Sequence, residues 1–231
     1  MDFTRQSSLM DGTKFDHPIH IIGVGATGSY IALLTAKTTG SSKITIWDFD
    51  KVEGHNLPNQ LYGPEHIGME KTEACFSVIK EQTGVEVEME GKCTPDAVNQ
   101  LNGVVFLAVD SMETRKEIWD NCIKLNPLVV RMIEMRLGIE MGVVHIVDPN
   151  SVEDVKGWEK EWYPDSEAEQ SPCTNRMIST TVATMAGLSV HHLINIYKDR
   201  EIPPRLLVDM SSFSFEAFEW AKEEALASAS V

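Results

Sequence analysis

Ile19-His20-Ile21-Ile22-Gly23-Val24-Gly25-Ala26-Thr27-Gly28-Ser29 is the stretch from which the fold can be read. Residues 19–23 form a short apolar run that predicts a strand, and residues 29–38 carry a helical pattern. Between them the spacing Gly-x-Gly-x-x-Gly falls on Gly23, Gly25 and Gly28, with Ala26 and Thr27 opening the helix. Glycine permits a tight turn and a close approach of the backbone to another group. The first turn of the helix adds amides without partners, which suit a phosphate. The next predicted strand, residues 43–47, ends in Asp48-Phe49-Asp50. Asp48 stands about 20 residues past the glycines, where a carboxylate can receive ribose hydroxyls. Strand, turn, helix and acid together predict a nucleotide site rather than a plain tight turn. They leave NAD and ATP both open.

Outward from this unit the rhythm repeats. Residues 70–80 have helical spacing, residues 85–89 alternate like a strand, and residues 104–109 form a buried-strand run that ends on Asp110. Residues 114–125 predict a helix and residues 128–130 another apolar strand. Such alternation implies a parallel, doubly wound sheet. Beyond Arg136 the pattern changes. A strand is predicted over residues 139–147, an acidic loop with Trp158, Trp162 and Tyr163 over 150–172, and one long apolar helix over 174–197. Residues 206–210 and 213–218 predict two closing strands, and the Ala/Ser-rich tail from 221 is expected to fray. The predicted fold class is α/β: a Rossmann-like doubly wound sheet, parallel in its first half with antiparallel C-terminal strands. One domain covers residues 1–231, with a nucleotide-binding half at 1–149, a crossover loop at 150–172 and a C-terminal helix with strands at 173–231.

Composition narrows the function classes. A net charge of -15 argues against a nucleic-acid partner, because a phosphate backbone wants a basic stripe. The 231 residues contain no apolar run of the roughly 20 needed to span a bilayer, and residues 1–12 are polar. Cys75, Cys93, Cys122 and Cys173 lie far apart with no C-x-x-C pair, so reduced thiols in a cytoplasmic protein are expected, without a structural zinc.

Asp48-Phe49-Asp50 runs on to Asn56-Leu57-Pro58-Asn59-Gln60, then to Gly68-Met69-Glu70-Lys71, then to Ala108-Val109-Asp110. With the glycine turn, this series resembles the ThiF/MoeB/HesA family of adenylyltransferases, which includes the adenylation domains of ubiquitin-activating enzymes. That family's pattern is a Gly-rich turn, a DxD-like strand end, an N-L-x-R-Q segment, a G-x-x-K segment and an Asp after a later strand. Thr4-Arg5-Gln6 is similar to the family's N-terminal R-Q, and the resemblance extends to Cys173 and the helix after it.

The resemblance implies a single adenylation domain, acting as a homodimer with ATP and Mg²⁺. Its substrate would be the C-terminal carboxylate, normally Gly-Gly, of a small ubiquitin-like or sulfur-carrier protein. Both reactants are anionic, so such chemistry needs cations and positioned donors around the triphosphate. Lys71 would supply a point charge, Asn56 a donor to a phosphate oxygen, and Asp110 a carboxylate for Mg²⁺. Arg5 would reach the partner subunit's ATP. Gly23, Gly25, Ala26, Thr27, Gly28, Asp48, Asp50, Asn59 and Gln60 would line the nucleotide. Cys173, just before the long helix, would be a thiol activated by the helix N-terminus for a thioester or sulfur transfer.

One position departs from the family. Asn59 stands where its N-L-x-R-Q segment has arginine, and loss of one transition-state donor costs about 10²- to 10³-fold in rate. A catalytically weakened nucleotide-binding scaffold is therefore the alternative function. An NAD-dependent oxidoreductase is a further one, though it leaves Lys71 and Asp110 without a task. Arg115 and Arg136 also match family arginines but read more naturally as structural ion pairs. Cys75, Cys93 and Cys122 read as packing residues, and His191-His192 as a surface or dimer contact.

Overall fold

Strand β1 (Ile19–Ile22) is buried along its whole length, with parallel partners on both sides, β2 (Ile44–Trp47) and β4 (Gly103–Leu107), and a core on each face. A strand covered on both faces is apolar throughout, which is why these segments read as runs rather than alternations. The structure, a computed structural model, describes residues 1–167 and 178–220. Its single eight-stranded sheet has the order β3-β2-β1-β4-β5-β6-β7-β8. Strands β3 (Glu88–Glu90) and β5 (Val129–Leu137) complete the parallel part, and β6 (Met141–Val147), β7 (Arg205–Asp209) and β8 (Ser214–Phe218) are antiparallel. The α/β class, the parallel first half and the antiparallel end follow the sequence expectation.

Helices cover both faces. On one side α1 (Ala26–Thr39), α2 (Lys71–Thr83) and α5 (Ser179–Tyr197) pack over Ile21, Ile46 and Phe106. Gly40 and Gly84 end α1 and α2 in the left-handed conformation, where glycine carries no Cβ penalty. On the other side α3 (Met112–Ile118), a π-helical turn at Trp119–Ile123 and α4 (Val152–Lys160) enclose a second core around Trp119 and Trp158, whose rings lie 4.7 Å apart.

Several expectations need correcting. Residues 150–172 are not a loop throughout: α4 occupies Val152–Lys160, and a 3-10 turn follows at Asp165–Glu167. The helix has a cap, since the Ser151 hydroxyl accepts from the Asp154 amide, and it buries Val155 and Trp158 three residues apart. Gly157 hid the pattern, yet it is required there, because a Cβ would run into the Trp220 indole. The strand after α3 is also longer than its apolar run at residues 128–130. Arg131, Glu134 and Arg136 lie inside β5, tolerated because each is ion-paired. His192 is buried rather than on the surface, with burial drawing its imidazole down to about 4. The tail from 221 lies outside the described residues.

Candidate functional site

The carboxyl ends of β1 and β4 lie side by side, with Ile22 opposite Leu107. From β1 the chain turns to α1 on one face of the sheet, and from β4 it turns to α3 on the other. Open α/β sheets bind ligands in the crevice at such a reversal. The glycine turn and Asp110 both open onto it.

The three glycines are held for different reasons. Gly23 has a φ of 86°, donates its amide to the Trp47 carbonyl at 2.8 Å, and leaves no room for a Cβ beside the Ala108 carbonyl. A Cβ on Gly28 would run into the Gly23 carbonyl oxygen. Gly25 is unlike both. An added Cβ there would meet only the Gln60 amide nitrogen at 3.9 Å. Its backbone therefore faces open space at the N-terminus of α1, where an incoming phosphate could approach. Ala26 and Thr27 form the first turn of that helix.

Asp48 holds the turn from the neighbouring strand. One carboxylate oxygen accepts from the Val24 amide at 2.8 Å and the other from the Asp50 amide at 2.9 Å. Both oxygens thus serve the backbone, and they retain lone pairs for a ribose. A cavity of about 320 Å³ opens beside Asp48, walled by Phe49, Thr72 and Met89. Phe49 and Met89 present exposed apolar surface suited to a flat base.

Lys71 begins α2 and is drawn to the same edge. Its amide donates to the Asp50 carbonyl at 2.8 Å, and its ammonium pairs with the Asp50 carboxylate at 2.8 Å. Sequence reasoning missed the residue that couples this lysine to the turn. The Tyr62 hydroxyl bonds the Val24 carbonyl at 2.5 Å and lies 3.3 Å from the Lys71 carbonyl. Burial, with Cys75 and Asp48 nearby, pushes the phenol well above its ordinary value, so it remains a donor. The signal was position alone, two residues past Gln60.

Gln60 lies beside Gly25, and its buried carbonyl oxygen has no hydrogen-bond partner. An orphaned acceptor at the mouth of a site is an unusual cost unless a ligand meets it. The Asn56 side-chain oxygen accepts from the Glu53 amide at 2.9 Å, which points its NH₂ to other use. Asn59 follows on the same turn, its amide bonded to the Asn56 carbonyl at 3.1 Å. Lys51, close to this segment in sequence, pairs with Glu70 at 3.3 Å.

Asp110 is exposed at the end of β4. It is not the cap of α3, since that role falls to Ser111, whose hydroxyl accepts from the Thr114 amide at 3.1 Å. Among the described residues no cluster of three or more His, Cys, Asp or Glu could hold a metal. Mg²⁺ needs none, because it is ordinarily held by one or two carboxylates together with substrate phosphates. The open Gly25, the orphaned Gln60 and the exposed Asp110 fit a magnesium nucleotide.

Two site candidates stand apart. Arg5 is anchored at the far end of α1, where Gln6 donates to the Thr38 carbonyl at 2.7 Å and Phe3 covers Gly40. The 14 residues of α1 put it about 20 Å from its own glycine turn. Cys173 lies outside the described residues, whereas Cys75, Cys93 and Cys122 are buried, as packing residues should be. Burial pushes Cys75 up to about 12. Arg115 and Arg136 are the structural ion pairs expected, both on Glu134 at 2.7 and 2.9 Å.

The sequence model of the ThiF family matches residues 15–228. Among curated proteins the chain is 26% identical over 221 residues to the sulfur carrier protein ThiS adenylyltransferase of Escherichia coli (strain K12), covering 88% of this chain and 83% of that one. It is 29% identical over 128 residues to ubiquitin-like modifier-activating enzyme 5 of Drosophila grimshawi, which spans 48% of this chain and only 32% of the relative. Among solved structures, E. coli MccB with ATP superposes with a TM-score of 0.68 at 14% identity, covering 93% of this chain and 67% of that one. At that identity the likeness is one of fold.

Proposed function

Because the chain belongs to the ThiF family, we propose that it uses Mg-ATP to adenylate the C-terminal carboxylate of a small ubiquitin-like or sulfur-carrier protein, one ending in Gly-Gly. A carboxylate oxygen of the carrier attacks the α-phosphorus, the bond to the bridging oxygen breaks, and pyrophosphate leaves. The carrier is left as an acyl-adenylate. A bound Mg²⁺ neutralises triphosphate charge and orients the leaving group.

The chain's own residues divide the work. The α1 amides around Gly25 receive phosphate, and Asp48 the ribose, with the base against Phe49 and Met89. Lys71 turns from Asp50 toward the phosphates, Asn56 donates its NH₂, and Gln60 meets the nucleotide with its orphaned carbonyl. Asn59 supplies a neutral donor where relatives carry a charge. Asp110 holds the metal. Arg5, remote from its own turn, serves the partner subunit of a homodimer. The Cys173 thiol either takes the acyl group as a thioester, with AMP leaving, or takes part in sulfur transfer. Unpaired thiols at Cys75, Cys93 and Cys122 support a cytoplasmic setting.

The observation that carries this reading is Tyr62, whose one hydroxyl reaches both the glycine turn and the lysine helix. Hydride transfer to a dinucleotide would leave Lys71 and Asp110 without a task. The scaffold alternative is favoured by Asn59 and by the Asp50 carboxylate already facing Lys71. Incubation with Mg-ATP and a panel of Gly-Gly-ended carriers separates the two. Adenylation leaves one carrier heavier by an adenylyl group in intact mass spectrometry. Tight ATP binding with every carrier unchanged supports the scaffold, and binding of NAD without ATP sinks both.

A further inference from the structure

His145 is the most enclosed histidine of the chain. It lies on β6, 1% exposed, between Glu134 of β5 and Arg205 of β7. Its Nε2 is hydrogen-bonded to Glu161, the residue that ends α4, at 2.9 Å, while its Nδ1 lies 2.9 Å from Glu134, at ion-pair distance but not aligned as a hydrogen bond. Both carboxylates are ionised. Glu134 is buried, yet Arg115, His145 and Arg136 hold it well below its ordinary value. Glu161 is also paired with the Arg205 guanidinium at 3.0 Å. A carboxylate only accepts. Two anionic charges this close to an imidazole favour its charged form, with a proton on each ring nitrogen. The Trp220 ring stacks on the imidazole at an interplanar angle of 5° and donates its own N–H to Asp154.

Glu161 opens a segment fastened to the chain just past Asp110. The Trp162 indole donates to the Met112 carbonyl at 3.0 Å, and Asp165 accepts from the Met112 amide at 2.7 Å. The Asp165 amide in turn donates to Glu113 at 3.0 Å.

We propose that His145 is a positioning residue: as an imidazolium it clasps Glu161 to Glu134, seats residues 161–165 beside Asp110, and lets Glu161 go when it loses a proton. The Nε2 proton passes to base in the solvent, and no other bond changes. Glu161 is the partner released because its side chain is 27% exposed and can rehydrate, whereas Glu134 is fully buried. The charges facing the imidazole agree. Burial and Arg136 oppose its proton, but the nearby carboxylates of Glu134 and Glu161 prevail and raise it above its ordinary value. The clasp is thus complete below neutrality and is lost as pH rises through the folded value. Arg205 and Arg136 keep Glu161 near when the clasp opens, so the segment loosens without unfolding.

The consequence for catalysis rests on the adenylation reading. The clasp does not, and it is tested on the full chain without nucleotide. Nitrogen NMR of histidine-labelled protein should show both His145 ring nitrogens protonated at pH 6, titrating above 6.5, the ordinary value. Hydrogen exchange at the Met112 and Asp165 amides, corrected for intrinsic rates, should lose about tenfold protection per pH unit above that midpoint. Glu161→Gln should make the same amides insensitive to pH, because its side-chain amide can donate to a neutral ring. A bare ring nitrogen at pH 6 overturns the proposal. So does protection that stays flat through the titration in the native chain, or that falls alike in Glu161→Gln. Should the variant fail to fold, the ring nitrogens and the native exchange profile decide alone.

Discussion

Gly25 and Gly28 stand in one turn, and a methyl group would mean different things at the two. At Gly28 it meets a backbone carbonyl that cannot move aside. Gly28→Ala should therefore lower stability by about 1–3 kcal/mol or more, read by urea unfolding. At Gly25 the methyl meets open space, so Gly25→Ala should cost less stability than Gly28→Ala in the same measurement. Its Mg-ATP affinity, measured by calorimetry, should nevertheless fall. Equal ATP affinity in parent and Gly25→Ala would show that no phosphate approaches there. Asn59→Arg asks a related question of charge. Arginine offers a fixed cationic fork where asparagine offers a neutral donor. Pyrophosphate exchange should rise, by at most the roughly 10²- to 10³-fold expected of one such donor. A fall would mean that the space is filled by another group. At this scale much was legible: the turn glycines, Asp48 and Lys71 come together at the carboxyl ends of the parallel strands. Gln60 was named from the resemblance but its environment was not, and Tyr62 was not named at all. A buried hydroxyl and an orphaned carbonyl are facts of packing, and a single letter does not carry them.

Among the elements, β5 and α4 were the least legible, for one shared reason. Glu134 interrupts the apolar run of β5, and only the folded state reveals that Arg115, Arg136, His145 and the Trp158 indole all converge on it. In the same way Gly157 and a run of acids concealed α4, whose buried face is little more than Val155 and Trp158. Tertiary partners, not local propensity, made both. Glu134→Ala would leave buried arginines facing no counter-charge, and it should cost about 3–5 kcal/mol. The pH dependence has two signs. Glu134 and Glu161 are depressed, so their contribution is present above 4.5 and lost as pH falls through their folded values. His145 is raised, so its contribution is present below 6.5 and lost as pH rises through its own. Urea midpoints should therefore peak inside that window, and Glu134→Ala should flatten the peak. A midpoint that climbs steadily past pH 8 would contradict this account.

At the scale of the whole molecule, the order β3-β2-β1-β4-β5 fixes where a ligand can sit, since the one reversal of direction falls between the glycine turn and Asp110. The same architecture sends Arg5 to the far end of α1. If Arg5 serves a nucleotide, it is that of a second subunit. Mixing Arg5→Ala with Asp110→Ala protein should then restore part of the activity lost in each, since hybrid dimers contain one intact site. A fully active monomer in sedimentation would exclude that arrangement. The central claim is carrier adenylation, and ATP–pyrophosphate exchange measures it most directly. Exchange should require Mg²⁺ and a carrier with an intact Gly-Gly end. It should fall about 10²- to 10³-fold in Lys71→Ala, as for loss of one transition-state donor, and vanish in Asp110→Ala. Exchange absent from the native chain with ATP bound and every carrier tried, or undiminished in Asp110→Ala, would contradict it.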